Sequence, residues 1–374
     1  MKPLQIGIGA ICLFLFFVSC GRESDVVSQI QKAQSELDGD ELFLRLLELN
    51  EAYPASFHVK LVLGNLLIER GDPRSAEIFL ASALRSERRC TNREEQAELR
   101  GLLALASLET GESAKGASLA HEAFELDPLP RYTLIEGRAL FHGGDTEGAG
   151  TPFTAAYSQD KALFGSAESR EYAALLAATE KPEEALLVLR ESMQRNGYYP
   201  GGGMEESSLC SALGRKDEAL LSAFRDLEYI RQMEDGEKAA SKAFLTLKAL
   251  YKDSEARIIQ GMELYLAERY REAYSVLSQI PQALSHSMLS YVLLACRLEC
   301  GEQNSSDLDA YIGLEQEFKT HQLYYHHLYR AVKGEELLSL PSYTAIISRC
   351  MSLGEESRYG VEARRELSGL LAEP

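Results

Sequence analysis

The chain has 374 residues, enough for two or three ordinary domains or for one extended repeat array. Leu and Ala together number 100 against 34 for Val, Ile and Thr, an excess of helix formers that excludes a sandwich, a barrel or a parallel sheet and predicts an all-α fold. With 57 acidic and 39 basic side chains the net charge is −18, which opposes nucleic-acid backbones and, by charge alone, anionic membrane surfaces.

The N-terminus stands apart. Lys2 is the only charge before Cys20, and Ile6 to Val18 is an apolar run dominated by Ile, Leu and Phe. As a helix that run reaches about 20 Å, short of the ~30 Å hydrocarbon core, so it reads as the hydrophobic region of a secretory signal. It ends Phe17-Val18-Ser19-Cys20-Gly21. Val18, Ser19 and Cys20 resemble the lipobox of bacterial lipoproteins; Phe17 stands where an aliphatic residue is usual. The alternative is an ordinary signal peptide, or an uncleaved anchor, that contains a cysteine. The resemblance implies residues 1–19 as signal peptide, Cys20 as an N-palmitoyl, S-diacylglycerol cysteine, and 20–27 as a lipidated tether. It further implies a protein of the cell envelope, lipid-anchored to the inner or outer membrane on the periplasmic side or the cell surface. Acyl chains hold a soluble body at a bilayer because each buried methylene contributes ~0.8 kcal/mol.

From residue 28 onward, apolar-periodic segments alternate with short Gly, Asp or Pro punctuation. Self-similarity appears at a fixed period. One set is Leu63-Gly64, Leu67, Gly71-Asp72, Ala76, Leu80 and Ala83; the next is Leu103-Ala104, Gly111-Glu112, Gly116, Ala120, Ala123 and Pro128. A third is Gly137, Leu140, Gly144-Asp145, Ala149, Phe153 and Ala156. Ala173, Leu176, Ala185 and Leu189 make a fourth, and Gly261, Leu264, Ala273 and Leu277 a sixth. A degraded fifth runs from Leu213-Gly214 to Ala219, and a seventh surrounds Leu293, Leu294 and Gly301-Glu302.

These offsets resemble the tetratricopeptide repeat (TPR), a 34-residue helix–turn–helix. Trp, common near the start of its first helix, is absent from this chain. The resemblance implies a right-handed α-solenoid over residues 28–374, clearest over 55–160, degenerate over 165–311, with a C-terminal helical cap over 314–372. Small residues would let backbones approach, larger ones such as Leu80 and Phe153 would fill the space between helices, and each Gly-Asp would end one helix and start the next. Another α-hairpin solenoid would keep the architecture and change only the repeat's name. Beyond the repeats, helices are expected over Glu237–Lys252, Leu314–Val332, Pro341–Leu353 and Glu355–Leu371, with Val361, Arg364, Arg365, Leu367 and Leu371 suited to a closing cap.

Little in the chain points to chemistry. Once Cys12 leaves with the signal and Cys20 takes lipid, Cys90, Cys210, Cys296, Cys300 and Cys350 remain, an odd set without paired spacing. Cys296 and Cys300 share a helix face and read as core. The stretch His321-Gln322-Leu323-Tyr324-Tyr325-His326-His327-Leu328-Tyr329-Arg330 lacks the i, i+4 histidines of metal-binding helices, so it reads as an amphipathic helix, with an aromatic recognition surface as the alternative. Gly197-Tyr198-Tyr199-Pro200-Gly201-Gly202-Gly203 has no phosphate-loop Lys and reads as a flexible loop able to act as a hinge. No catalytic constellation, metal site or cofactor is expected. The expected role is a membrane-anchored scaffold for protein–protein interaction in the bacterial envelope, holding a protein or peptide of basic character in the solenoid groove. The alternative is a surface-exposed, adhesin-like lipoprotein that contacts host proteins. Chaperone-docking members of the family grip a carboxylate with Lys and Asn on successive helices; the equivalents here are Leu61, Asn65, Leu102, Arg131 and Ile135, so that clamp is not expected.

Overall fold

A computed structural model describes residues 25–232, 236–280, 286–302, 304–333, 340–354 and 357–372. Cys20 and the apolar run before it lie outside these residues. The fold is all-α, built from successive packed helix pairs in the manner of an α-solenoid, with no strand among the described residues. No described helix is long and apolar enough to cross a membrane. Contacts group the chain into two compact units, Met1–Leu163 and Phe164–Pro374.

In the first unit, α1 (25–36) and α2 (Gly39–Ala52) precede the pairs α3 (Phe57–Glu69) with α4 (Pro73–Ser86), α5 (Arg93–Glu109) with α6 (Ser113–Leu126), and α7 (Pro130–His142) with α8 (Thr146–Gln159). Each second helix also packs on the next first helix, α4 on α5 and α6 on α7. Local chemistry sets the boundaries. Gly71, Gly111 and Gly144 have positive φ, where a Cβ would be strained. Asp72 and Asp145 then accept the N–H groups of Ser75 and Gly148 and cap α4 and α8. Pro73 and Pro130 open their helices, where a missing N–H costs nothing.

Packing follows the same offsets. A Cβ on Gly64 would overlap the Leu80 side chain, and one on Gly137 would lie 3.0 Å from Phe153 Cδ2. Ala76, Ala83, Ala123, Ala149 and Ala156 are fully buried, while Pro128 is exposed between α6 and α7.

The second unit contains α9 (Ser166–Ala178), α10 (Pro182–Asn196), α11 (Gly202–Ala212), α12 (Lys216–Arg231), α13 (Gly236–Leu250), α14 (Ala256–Leu266) and α15 (Tyr270–Leu277). These are followed by α16 (Ser287–Cys300), α17 (Ser305–Ile312), α18 (Glu315–Phe318), α19 (Gln322–Val332), α20 (Leu340–Ser352) and α21 (Arg358–Ala372). The repeat geometry recurs. Ala185 and Ala273 are buried, and Leu277 fills the space beside Gly261. Here the turn position is Gly214 in one pair but Glu180 and Glu268 in two others, all with positive φ.

Three local expectations need correction. The single helix over Leu314–Val332 is two, because His321 adopts an extended backbone with its ring 4.6 Å from Tyr198 and 5.1 Å from Phe318. The second piece, α19, has the expected amphipathic sequence, but its polar face is covered too: it is buried nearly all round, Gln322 through Tyr329 included. An aromatic recognition surface is therefore ruled out there.

The third correction concerns the glycine-rich segment. Gly202 and Gly203 belong to α11, and Gly201 is its left-handed N-cap. The Asp226 carboxylate, reaching over from α12, accepts the Gly201 N–H at 2.8 Å, the Met204 N–H at 2.6 Å and the Tyr198 hydroxyl. The segment is tied down by a buried side chain, not left as a slack loop.

Candidate functional site

The second unit holds a cleft of about 570 Å³ lined by α10, α11, α12, the start of α16 and the α17–α18 turn. Its floor is charged. Glu206 and Arg225 are both 2% exposed at their side chains and lie 3.9 Å apart. Arg190 Nε donates to Glu206 Oε1 at 2.6 Å and its Nη2 to Glu218 Oε2 at 2.8 Å. Arg225 pairs with Glu317 and with the Ser287 hydroxyl, which itself donates to Glu317 at 2.6 Å. The Arg225 guanidinium also faces the Phe318 ring at 5.2 Å.

His286 joins this cluster at the N-cap of α16. Its Nδ1 accepts the Met288 N–H at 3.2 Å, so the ring proton sits on Nε2, which faces Ser222 Oγ at 3.1 Å and Glu206 at 3.6 Å. Burial opposes ionisation of Glu206, but His286, Arg225 and Arg190 outweigh it and hold the carboxyl well below the usual range. The carboxylate is nevertheless incompletely satisfied. Glu206 Oε2 is buried without a hydrogen-bond partner, as is Arg225 Nε. Gln194, Ser290 and Gln316 form an exposed rim. This ionised oxygen lies 3.9 Å from Arg225 Nη1, without a hydrogen bond and beneath the polar cleft, a position that suits a strongly donating group entering from above.

A second buried network lies deeper in the same unit. Glu228 is fully buried and accepts from Tyr265 at 2.6 Å, Tyr291 at 3.2 Å and Arg231 at 3.2 Å. His327 stands between Tyr265 and Glu299, 3.1 Å and 2.7 Å away.

The residues singled out from sequence fall elsewhere. Gly64, Gly71, Ala76, Ala83, Ala123, Gly137, Gly144, Ala149, Phe153 and Ala156 form helix contacts and turns of the first unit; Ala185, Gly261 and Ala273 do so in the second. Asn65 donates to Glu69 and Arg131 to Tyr132, both local partners. All five cysteines of the described residues are free, with Cys300 the least buried. Glu206, Arg225, His286 and Glu317 were not singled out, since they come from four separate segments. A signal existed for their neighbourhood: Asp226 occupies the repeat position held by Ala83, Ala123 and Ala156, and a carboxylate in a buried alanine slot must find buried donors.

The fold and the site together define an all-α helical-repeat protein with a charge-lined cleft. No protein-family model matches the chain, and no curated protein sequence does. Among solved structures, the TPR domain of P58(IPK) aligns over 93% of this chain and 98% of that one, at 13% identity and a TM-score of 0.32. The structure of Naa15/Naa10 bound to HypK-THB aligns over 91% of this chain and 61% of that one, at 15% identity and a TM-score of 0.31. This chain therefore spans less than two thirds of that second structure's length.

Proposed function

We propose that this chain is a lipid-anchored scaffold of the bacterial envelope that holds a basic protein segment in the cleft of its second unit. The observation that carries the reading is the buried, ionised Glu206 with one oxygen lacking a hydrogen-bond donor at the floor of an open polar cleft. A lysine or arginine side chain of a partner supplies the missing donor, and the net charge of −18 steers such a partner in. Stacked helix pairs give the partner a surface set by many side chains rather than by one motif. Anchoring rests on Cys20 after the apolar run from Ile6 to Val18, with acyl chains in place of a spanning helix.

Two measurements test the reading. A photo-crosslinking residue at Ser290, on the cleft rim, should capture a basic envelope protein, while one at the exposed Ile78 of the first unit should not. Capture should weaken as salt rises and in Gln194→Arg, which places a cation at the rim. Equal capture from both positions would remove the cleft from the proposal. Separately, palmitate should label the wild type and not Cys20→Ala; an unlabelled wild-type protein would remove the lipid anchor.

A further inference from the structure

Glu299 on α16 and the adjacent His326 and His327 on α19 each bring a ligand-capable atom within 4.8 Å of the others. The hydrogen bonds around them call for one positive charge more than neutral histidines supply. Tyr265 gives its single hydroxyl proton to Glu228 at 2.6 Å, so its oxygen must accept from His327 Nε2 at 3.1 Å. That assigns the proton of a neutral His327 to Nε2. Its Nδ1 then presents a lone pair to the Glu299 Oε1, 2.7 Å away. Two acceptors at that distance repel unless a second proton or another cation lies at the site.

His326 repeats the pattern. Its Nε2 meets Glu362 Oε2 at 2.9 Å, while its Nδ1 is buried with no hydrogen-bond partner. Arg330 approaches the other Glu299 oxygen, Oε2, at 3.3 Å from a half-exposed position, and leaves Oε1 to the histidines. Each histidine thus has its far nitrogen held by an outer partner, Glu362 or Tyr265. Carboxylate or hydroxyl support of this kind orients metal-ligating imidazoles.

We propose that Glu299, His326 and His327 form a binding site for one first-row divalent cation of the zinc type. Two imidazoles and one carboxylate are the donor set of open zinc sites, with water completing the coordination. The site is independent of the cleft around Glu206. None of its three ligands lines that cleft. The spacing that argued against a metal in the sequence considered α19 alone; the third ligand arrives from α16.

The test uses the full-length, tag-free chain in detergent, stripped with chelator and then dialysed against Zn2+ or Co2+. About one equivalent of Zn2+ should remain bound, and Co2+ should give the visible absorption of a low-coordinate nitrogen and oxygen site. Both should be lost in His326→Gln and in Glu299→Gln, checked for helicity by circular dichroism, and retained in His121→Gln, a histidine of the first unit. Sub-stoichiometric metal in the wild type would overturn the proposal whatever the variants do. So would binding unchanged in folded His326→Gln, or nitrogen NMR showing His327 doubly protonated in the stripped and the zinc-dialysed protein alike.

Discussion

The side chain of Leu80 on α4 occupies the space that a Cβ on Gly64 of α3 would need, the Leu80 Cγ being the nearest atom. Ala at position 64 gains about 1 kcal/mol in helix propensity, but Cγ cannot move aside without moving the whole side chain, and overpacking of this sort costs about 1–3 kcal/mol. Gly64→Ala should therefore lower the unfolding free energy in urea. On a Leu80→Ala background the same substitution should be neutral or stabilising, since the obstructing atoms are gone. Gly137→Ala, whose Cβ would sit 3.0 Å from the Phe153 ring edge, should cost distinctly less than Gly64→Ala.

Glu180 is a non-glycine residue at φ 60, in the turn where other pairs place Gly71, Gly111 and Gly144. The left-handed conformation costs an L-residue about 1–2 kcal/mol. Glu180→Gly should stabilise the second unit by up to ~1 kcal/mol in chemical denaturation. Glu268→Gly should gain less, because Glu268 also pairs with Arg358 at 2.7 Å and an exposed pair contributes about 0–1 kcal/mol.

Gly203 faces the backbone carbonyl of Ser222 so closely that no Cβ fits without displacing α12. Gly203→Ala should cost about 3 kcal/mol or more, at the upper end of core overpacking. Gly201→Ala, in open space but at φ +88, should cost only the left-handed penalty of about 1–2 kcal/mol. Equal losses in the two variants would contradict this close approach of α11 to α12.

Acid should weaken the second unit before the carboxylates protonate. Burial and the positive charge of Arg225 depress the His321 pKa to about 3, and burial depresses that of His326 as well. An unfolded histidine titrates near ~6.5, so between those values the unfolded chain binds more protons than the folded one. Stability from these groups is complete above pH ~6.5 and falls as pH drops, by up to ~1.4 kcal/mol per pH unit for each group. His321→Phe, in a pocket already made by Tyr198, Tyr229 and Phe318, should flatten the slope between pH 6 and 4.5. An unchanged slope would show that His321 is not a source of the acid sensitivity.

Much of the backbone was legible in the residues. Gly71-Asp72 and Gly144-Asp145 announce a turn and a cap because only glycine takes positive φ freely and aspartate accepts a first-turn N–H. The break before His321 was not legible. Its helical periodicity continues through Lys319 and Thr320, and what interrupts it is ring packing on Tyr198, a residue from before α11. The glycine cluster misled for a related reason: its composition reads as slack, while its conformation is decided by Asp226 far along the chain.

The same division holds for function. Short-range rules that depend on one residue and its near neighbours determined the all-α class, the repeat offsets and the turn chemistry, and they carry the expectation of an acyl site at Cys20. Tertiary structure alone decided which charges meet. Glu206 with Arg225, Glu317 and His286, and Glu299 with His326 and His327, are drawn from helices many residues apart. An ionisable residue in a sequence reads as solvated surface. Only removal from water, and the identity of the groups that replace the water, turns it into a site.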